Sequence, residues 1–258
     1  MICRHEIKKQ IVGLYPQQSS KKTGELTESP YKECAKCGVW IGNRSDPHHY
    51  TYEYYNAPVH NNFRNGIPLR SINYERRKKI WKKLGFDVEN DKGDDALELG
   101  FGTGFLLYGL YLDGWDVVGV DLSSWACAWV KETYGDIIPV FNANFENIDK
   151  SILTNRTLNG KFDFIYSCHF LEHCENPMKV IEDCVEMLNS GGHLFAEVPD
   201  KLHTLAMPHV HNWAFDEKCL RLWFKQAGLK KIKTMTSIPF NAPITMPGKY
   251  IYIMGVKK

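Results

Sequence analysis

Residues 96–104 read Ala-Leu-Glu-Leu-Gly-Phe-Gly-Thr-Gly. Three glycines, Gly100, Gly102 and Gly104, follow a short apolar run and precede a second one, Phe105–Leu112. This is the pattern of a strand, a tight turn and a helix. Glycine is needed where the backbone bends sharply and approaches a ligand without a Cβ in the way. The helix that follows offers unpaired N–H groups and the positive end of its dipole. Seventeen residues after Gly104, the run Val-Val-Gly-Val closes on Asp121. A carboxylate at the end of a second strand can accept hydrogen bonds from both hydroxyls of a ribose. A nucleoside-bearing cofactor is the ligand such a turn and acid would hold.

The spacing narrows the choice of cofactor. A dinucleotide fold places a third glycine in Gly-x-Gly-x-x-Gly, and here that position is Phe105. Glu98 also lies two residues before the first glycine. An acid there repels a pyrophosphate but suits a ligand carrying an ammonium and a sulfonium. The stretch resembles the first motif of the class I S-adenosylmethionine-dependent methyltransferases, and further segments extend the resemblance. Asn142–Ile148 is similar to the segment lining the adenine in that class. Phe162–His173 with Asn176-Pro177 is similar to its fourth strand and following loop, and Ser190–Glu197 to the turn into its fifth strand. Five segments in the right order, over about residues 94–258, are far more specific than one glycine turn.

The resemblance implies a doubly wound α/β fold with a seven-stranded, mainly parallel sheet whose last strand, Tyr250–Val256, is reversed. It implies S-adenosylmethionine as cofactor. Glu98, Gly100, Phe101, Gly102 and Gly104 would lie around its methionine part, Asp121 at the ribose and Leu122 on the adenine. Asn144 and Phe145 would sit beside the adenine ring, with Ser167 at the neighbouring strand end. Many relatives carry aspartate where this chain has Asn144, and the amide still offers an acceptor oxygen. An acceptor would be seated over the fourth and fifth strands, near Ser167, His169, Glu172, His173, Glu197, Pro199 and Asp200. His169 is the first choice for a general base, because an imidazole titrates near neutrality. His211, in the loop after the fifth strand, is the second, with His209 nearby. His173 belongs to a Leu-Glu-His run that recurs whatever the acceptor, which favours a loop-shaping role.

The alternating pattern itself supports a parallel sheet covered on both faces. It predicts strands near 95–99, 116–121, 138–142, 162–167, 193–198, 231–237 and 250–256, and helices near 104–113, 123–134, 177–188 and 216–227. Asp216 is expected to cap the last helix, and Gly191-Gly192 and Gly228 to stop helices. Upstream, residues 71–84 predict an amphipathic helix with Ile72, Ile80, Trp81 and Leu84 on one face and its basic residues outward. Three divisions follow: an extension over 1–50, a linker with a helix over 51–93, and the α/β domain over 94–258.

The extension has its own cue. Cys34-Ala-Lys-Cys37-Gly38 is a thiol pair on a tight knuckle, and Cys3 and His5 supply two further soft ligands. The set resembles a small zinc ribbon, and four protein ligands would make the zinc structural. Composition bounds the rest. The 258 residues are 43% hydrophobic, and 32 Lys+Arg against 30 Asp+Glu leave a net charge of +2, too balanced to attract nucleic acid generally. No apolar run reaches the length of a membrane span, and the N-terminus lacks a signal-peptide core, so a soluble cytoplasmic protein is expected. The base-flipping Asp/Asn-Pro-Pro-Tyr/Phe run and a Pro-Cys nucleophile are missing from the sequence, which points to a small-molecule acceptor. An RNA-associated enzyme using the zinc module, and a cofactor-binding protein without turnover, are the alternatives.

Overall fold

The inner strands of the central sheet are apolar runs, as burial on both faces demands, while the edge strand Lys230–Ser237 is polar and exposed or half-buried along its length. The computed structural model describes residues 7–13, 27–42, 66–90, 95–206, 211–237 and 248–258. The chain opens with β1 (Ile7–Gly13), β2 (Thr27–Cys34) and β3 (Trp40–Gly42), followed by helix α1 (Gly66–Leu84). The α/β alternation then runs β4 (Asp95–Leu99), α2 (Phe105–Leu112), β5 (Asp116–Asp121), α3 (Ser124–Tyr134), β6 (Val140–Asn142), the single turn α4 (Ser151–Thr154) and β7 (Phe162–Cys168). It continues through α5 (Pro177–Met187), β8 (Leu188–Pro199), α6 (Lys201–Ala206), β9 (Trp213–Ala214), α7 (Glu217–Gln226), β10 (Lys230–Ser237) and β11 (Tyr250–Val256).

Seven strands form one sheet in the order β10-β11-β8-β7-β4-β5-β6. The pairs from β8 through β6 are parallel, and β11 runs antiparallel to both β8 and β10. The expected reversed strand at Tyr250–Val256 is therefore present. The strand order reverses at β4, between β5 and β7, and such a switch point leaves a crevice at the strands' C-terminal ends. The glycine turn follows β4 directly, so it lies in that crevice.

Two apolar clusters cover the sheet, one on each face. Trp81 from α1 is fully buried in one of them, its ring edge-on to Phe164, Tyr166 and Phe195 at 5.1, 5.6 and 5.9 Å. The helix over 71–84 thus packs into the α/β core. Its buried face is Tyr74, Ile80, Trp81 and Leu84, and Ile72, expected among them, is exposed. Trp81 also lies beneath the sheet rather than over a ligand. Arg77, expected to face outward, turns inward against Glu197.

Local chemistry sets the helix ends. Ser123 accepts from the N–H of Ala126, Asn176 from Lys179 with Pro177 at the first position, and Asp216 from Cys219 at 2.7 Å. One stop differs from expectation. The helix after Asn176 ends at Met187, and Gly191-Gly192 belongs to β8, because pairing beside β7 begins already at Leu188.

The N-terminal strands build a second sheet, β1-β2-β3-β9, completed by a segment from the α/β domain. Trp40 pairs with Ala214 and Ile41 with Trp213. The N–H of Gly42 bonds to the carbonyl of Asn212 at 2.7 Å, and the Tyr31 hydroxyl to that of His211 at 2.8 Å. Sequence patterning did not reveal these strands, and β3 takes its outer partner, β9, from far along the chain. Among the described residues no helix is long and apolar enough to cross a membrane.

Replacing Trp81 with alanine empties a fully enclosed site, and a loss of about 3–5 kcal/mol of unfolding free energy is expected. Urea unfolding followed by circular dichroism measures it; a loss below about 1 kcal/mol would place the indole outside the core.

Candidate active site

The glycine turn is a cradle whose shape depends on missing side chains. Gly100 and Gly104 have φ of 70° and 69°, the left-handed region that side chains avoid. A Cβ on Gly100 would come within 2.8 Å of the Phe170 ring, and one on Gly104 within 2.6 Å of Val130. The backbone N–H of Gly100 still bonds across to Val120 at 2.8 Å, so the turn is anchored to β5.

Asp121 ends β5 beside this turn. One carboxylate oxygen accepts from the N–H of Gly102 at 2.9 Å, the other from Ser123 at 2.8 Å. Burial raises its pKa, and the two backbone donors work against that rise. Leu122 is 57% exposed beside it, an open apolar face of the kind a base would cover. On the other flank, Asn144 accepts from the N–H of Glu146 at 2.9 Å and shapes the turn after β6. Phe145 is buried, 6.4 Å from Phe170, and Ser167 is buried near the end of β7.

Two further predicted cofactor residues are buried around the turn. Phe101 is buried and packs where a Cβ on Gly119 would be, 2.7 Å from its ring carbon. Its ring therefore belongs to the core, and only its backbone borders the cradle. Glu98 lies beneath the turn, 3% exposed, and accepts from the Tyr166 hydroxyl at 3.1 Å. Burial pushes its pKa well up, so it serves as a support under the crook more than as a free charge.

At the ends of β7 and β8 the structure assembles a chain of charge. Arg77 holds Glu197 through two contacts, 2.7 Å from Nε and 2.8 Å from a terminal nitrogen. Glu197 lies 3.3 Å from Nε2 of His169, and Nδ1 of His169 lies 3.2 Å from Glu172. Both carboxylates are fully buried and are held below the usual carboxylate range, Glu197 chiefly by Arg77 and Glu172 chiefly by His169 against the opposing effect of burial. The two acids push the His169 pKa up to about 9 despite its own desolvation. This differs from the near-neutral imidazole expected of a general base. Both ring nitrogens are engaged, and the ring carries a proton at neutral pH. His169 also has φ of 54°, a strained conformation for a non-glycine residue, held by its N–H bond to the Glu197 carbonyl at 2.9 Å.

His211 is buried 5.0 Å from His173, ring to ring, and burial takes its pKa down to about 3, so it is neutral. Tyr31 and Asn212 lock this segment: Asn212 donates to the carbonyls of His173 and Cys174 at 2.8 and 3.3 Å. The ligand atoms of Glu172, His173 and His211 all lie within 4.8 Å of one another. Patterning missed Arg77, and it placed Glu172 and Glu197 near the acceptor without a role. The only signal was the spacing His169-x-x-Glu172-His173, which brings three polar side chains into one turn.

Of the predicted metal ligands, Cys34 and Cys37 are buried at the knuckle, while Cys3 and His5, like His209, lie outside the described residues. The thiol of Cys219, on the first turn of α7, is hydrogen-bonded to Cys37. Lys201 ties the knuckle to this helix by bonding both the Gly38 carbonyl at 2.6 Å and Asp216.

A family model described as a methyltransferase domain matches residues 71–234. The chain belongs to this methyltransferase family. Ubiquinone biosynthesis O-methyltransferase of Coxiella burnetii is 32% identical over 128 residues, covering 50% of this chain and 51% of the relative. The corresponding protein of Acinetobacter baylyi is 28% identical over 136 residues, 53% of each chain. The chain thus spans about half the length of the curated relatives it matches. An S-adenosylmethionine-dependent methyltransferase from Archaeoglobus fulgidus superposes with a TM-score of 0.57 at 14% identity, covering 80% of this chain and 100% of that one. One from Mesorhizobium loti gives 0.56 at 15% identity, over 69% and 96%. These structures share the fold.

The residues in the crevice at β4 fit S-adenosylmethionine: a Cβ-free crook, a carboxylate at the end of β5 and an exposed leucine. Asp121→Ala is expected to weaken S-adenosylmethionine binding by roughly tenfold or more in titration calorimetry, about the energy of a lost charge-assisted hydrogen bond. Unchanged affinity would move the ribose away from β5.

Proposed function

We propose that this chain transfers the methyl group of S-adenosylmethionine to a small-molecule acceptor seated over the ends of β7 and β8. The observation that carries the proposal is the adjacency of two built features: the glycine crook with Asp121, and the polar floor of Glu172, Glu197 and His169. Phe170 joins them, since its ring lies against Gly100 and it is two residues from Glu172. The curated relatives, named as O-methyltransferases of ubiquinone biosynthesis, support a small acceptor. When bound, the cofactor supplies an electrophilic methyl group on a sulfonium.

The residues then have distinct tasks. Gly100, Gly102 and Gly104 admit the methionine part, Asp121 takes the ribose, and Leu122, Asn144 and Phe145 border the base. His169 is a positioning residue: it keeps two buried carboxylates apart and fixes the loop that carries Glu172. His211, with its pKa lowered to about 3 by burial, is a poor proton acceptor and lines the floor beside His173. The seven free thiols among the described residues fit a reducing, cytoplasmic compartment.

We also propose that the knuckle holds a structural zinc through Cys34 and Cys37, with Cys3 and His5 as the remaining ligands. Cys219 competes for one of those places through its contact with Cys37.

Incubation with methyl-labelled S-adenosylmethionine and a metabolite extract tests the reaction. Label should pass to a low-molecular-weight product; label retained on the cofactor, despite tight binding, would make the protein a binder without turnover. His169→Ala should then lower turnover on the order of 100-fold, as misplaced reacting groups do, with cofactor affinity unchanged. Full turnover in that variant would sink the positioning role. Elemental analysis of the reduced protein should find about one tightly held zinc per chain, absent from Cys34→Ser. Zinc kept in Cys3→Ser and His5→Ala but lost in Cys219→Ser would reassign the ligands.

A further inference from the structure

We infer that Glu172, His173 and His211 form a binding site for a divalent first-row transition-metal ion beside the acceptor position. One ligand atom from each lies within 4.8 Å of the other two, the only such group of three among the described residues. Two come from the single turn after β7 and the third from the segment leading into β9, so the cluster closes only in the folded chain.

The buried polar atoms point the same way. Glu172 is fully buried and His211 is 5% exposed. Oε2 of Glu172 and Nδ1 of His211 have no hydrogen-bond partner among the described residues. An ionised carboxylate oxygen can only accept, so what it lacks is a donor or a cation. Its other oxygen already faces His169. One carboxylate and two imidazoles make a mixed oxygen and nitrogen donor set, suited to manganese, iron, cobalt or zinc in the divalent state. Three protein ligands leave positions open for water or another oxygen.

The scaffold around the ligands is rigid where a metal site needs it. The Tyr31 hydroxyl holds the His211 carbonyl, the Asn212 N–H holds the Glu172 carbonyl at 2.8 Å, and the Asn212 side chain holds that of His173. Bonds of this kind orient ligands in metal sites generally. Ion binding stands independently of methyl transfer. The use of the open positions to hold an acceptor's oxygen rests on the function proposed above.

Manganese(II) is the probe, because a hard ion disfavours the thiolate knuckle. The full chain, stripped with chelator and dialysed, is titrated with Mn²⁺ and the free aqua ion followed by electron paramagnetic resonance. Saturable binding of about one ion per chain is expected, with pulsed spectra showing imidazole nitrogen coupling. Glu172→Gln and His211→Ala should each weaken binding by roughly tenfold or more. Calorimetry with S-adenosylmethionine should give the affinity of the unsubstituted chain, which separates loss of the ion site from loss of the fold or of the cofactor pocket. No saturable binding, binding without nitrogen coupling, or equal affinity in the two variants would each overturn the site. The spectrum of the unsubstituted chain decides the matter even where a variant fails to fold.

Discussion

Two buried carboxylates facing one imidazole are the constraint around which this molecule is arranged. Glu172 and Glu197 are both fully enclosed, and a buried charge is tolerated only when it is paired. Arg77 satisfies one from α1, and His169 stands between the two. Removing either cation would leave a carboxylate in a poor solvent. The arrangement therefore ties α1, β7, the following loop and β8 into one unit. It also explains why His169 accepts a left-handed backbone: the pairing at both ring nitrogens and the bond to Glu197 outweigh a local strain of order 1–3 kcal/mol.

The N-terminal strands serve this arrangement rather than standing apart from it. Their sheet needs β9 for its last edge, and β9 follows directly on His211 and Asn212. Tyr31, Gly42 and the knuckle around Gly38 all bond to segments of the α/β domain. The consequence for function is geometric. A loop that would otherwise run freely over the strand ends is pinned from above, and the histidine it carries meets Glu172 and His173 at short range. The Cys34–Cys37 knuckle and the polar floor at the strand ends are thus joined through a few hydrogen bonds.

Much of the architecture was legible before folding. Alternating apolar runs marked the seven strands of the main sheet to within a few residues, since burial on both faces leaves few other compositions. The cofactor crook was legible because glycine at a positive φ and an acid at a strand end are local requirements, visible in Gly100, Gly104 and Asp121. Phe101 and Glu98 were less legible. Their place in the motif does not say whether a side chain faces the crevice or packs inside, and both are buried. Arg77 read as one more solvated base on a basic helix, because its partner Glu197 is 120 residues away. The strands β1 to β3 carried no periodicity strong enough to announce them, and the pairing of β3 with β9 depends on residues far along the chain.

By itself the sequence determined the fold class, the switch point at β4 and the crook that follows it, because these rest on short-range patterns of apolar, glycine and acidic residues. Only the tertiary structure decided the chemistry of the floor. It brought Arg77, Glu172, Glu197, His169 and His211 together from four separate segments, and it changed what they are: an imidazole expected to be free became a charged strut, and another is buried and neutral. Charge states and ligand sets depend on distance and solvent exclusion, and neither exists until the chain has closed on itself.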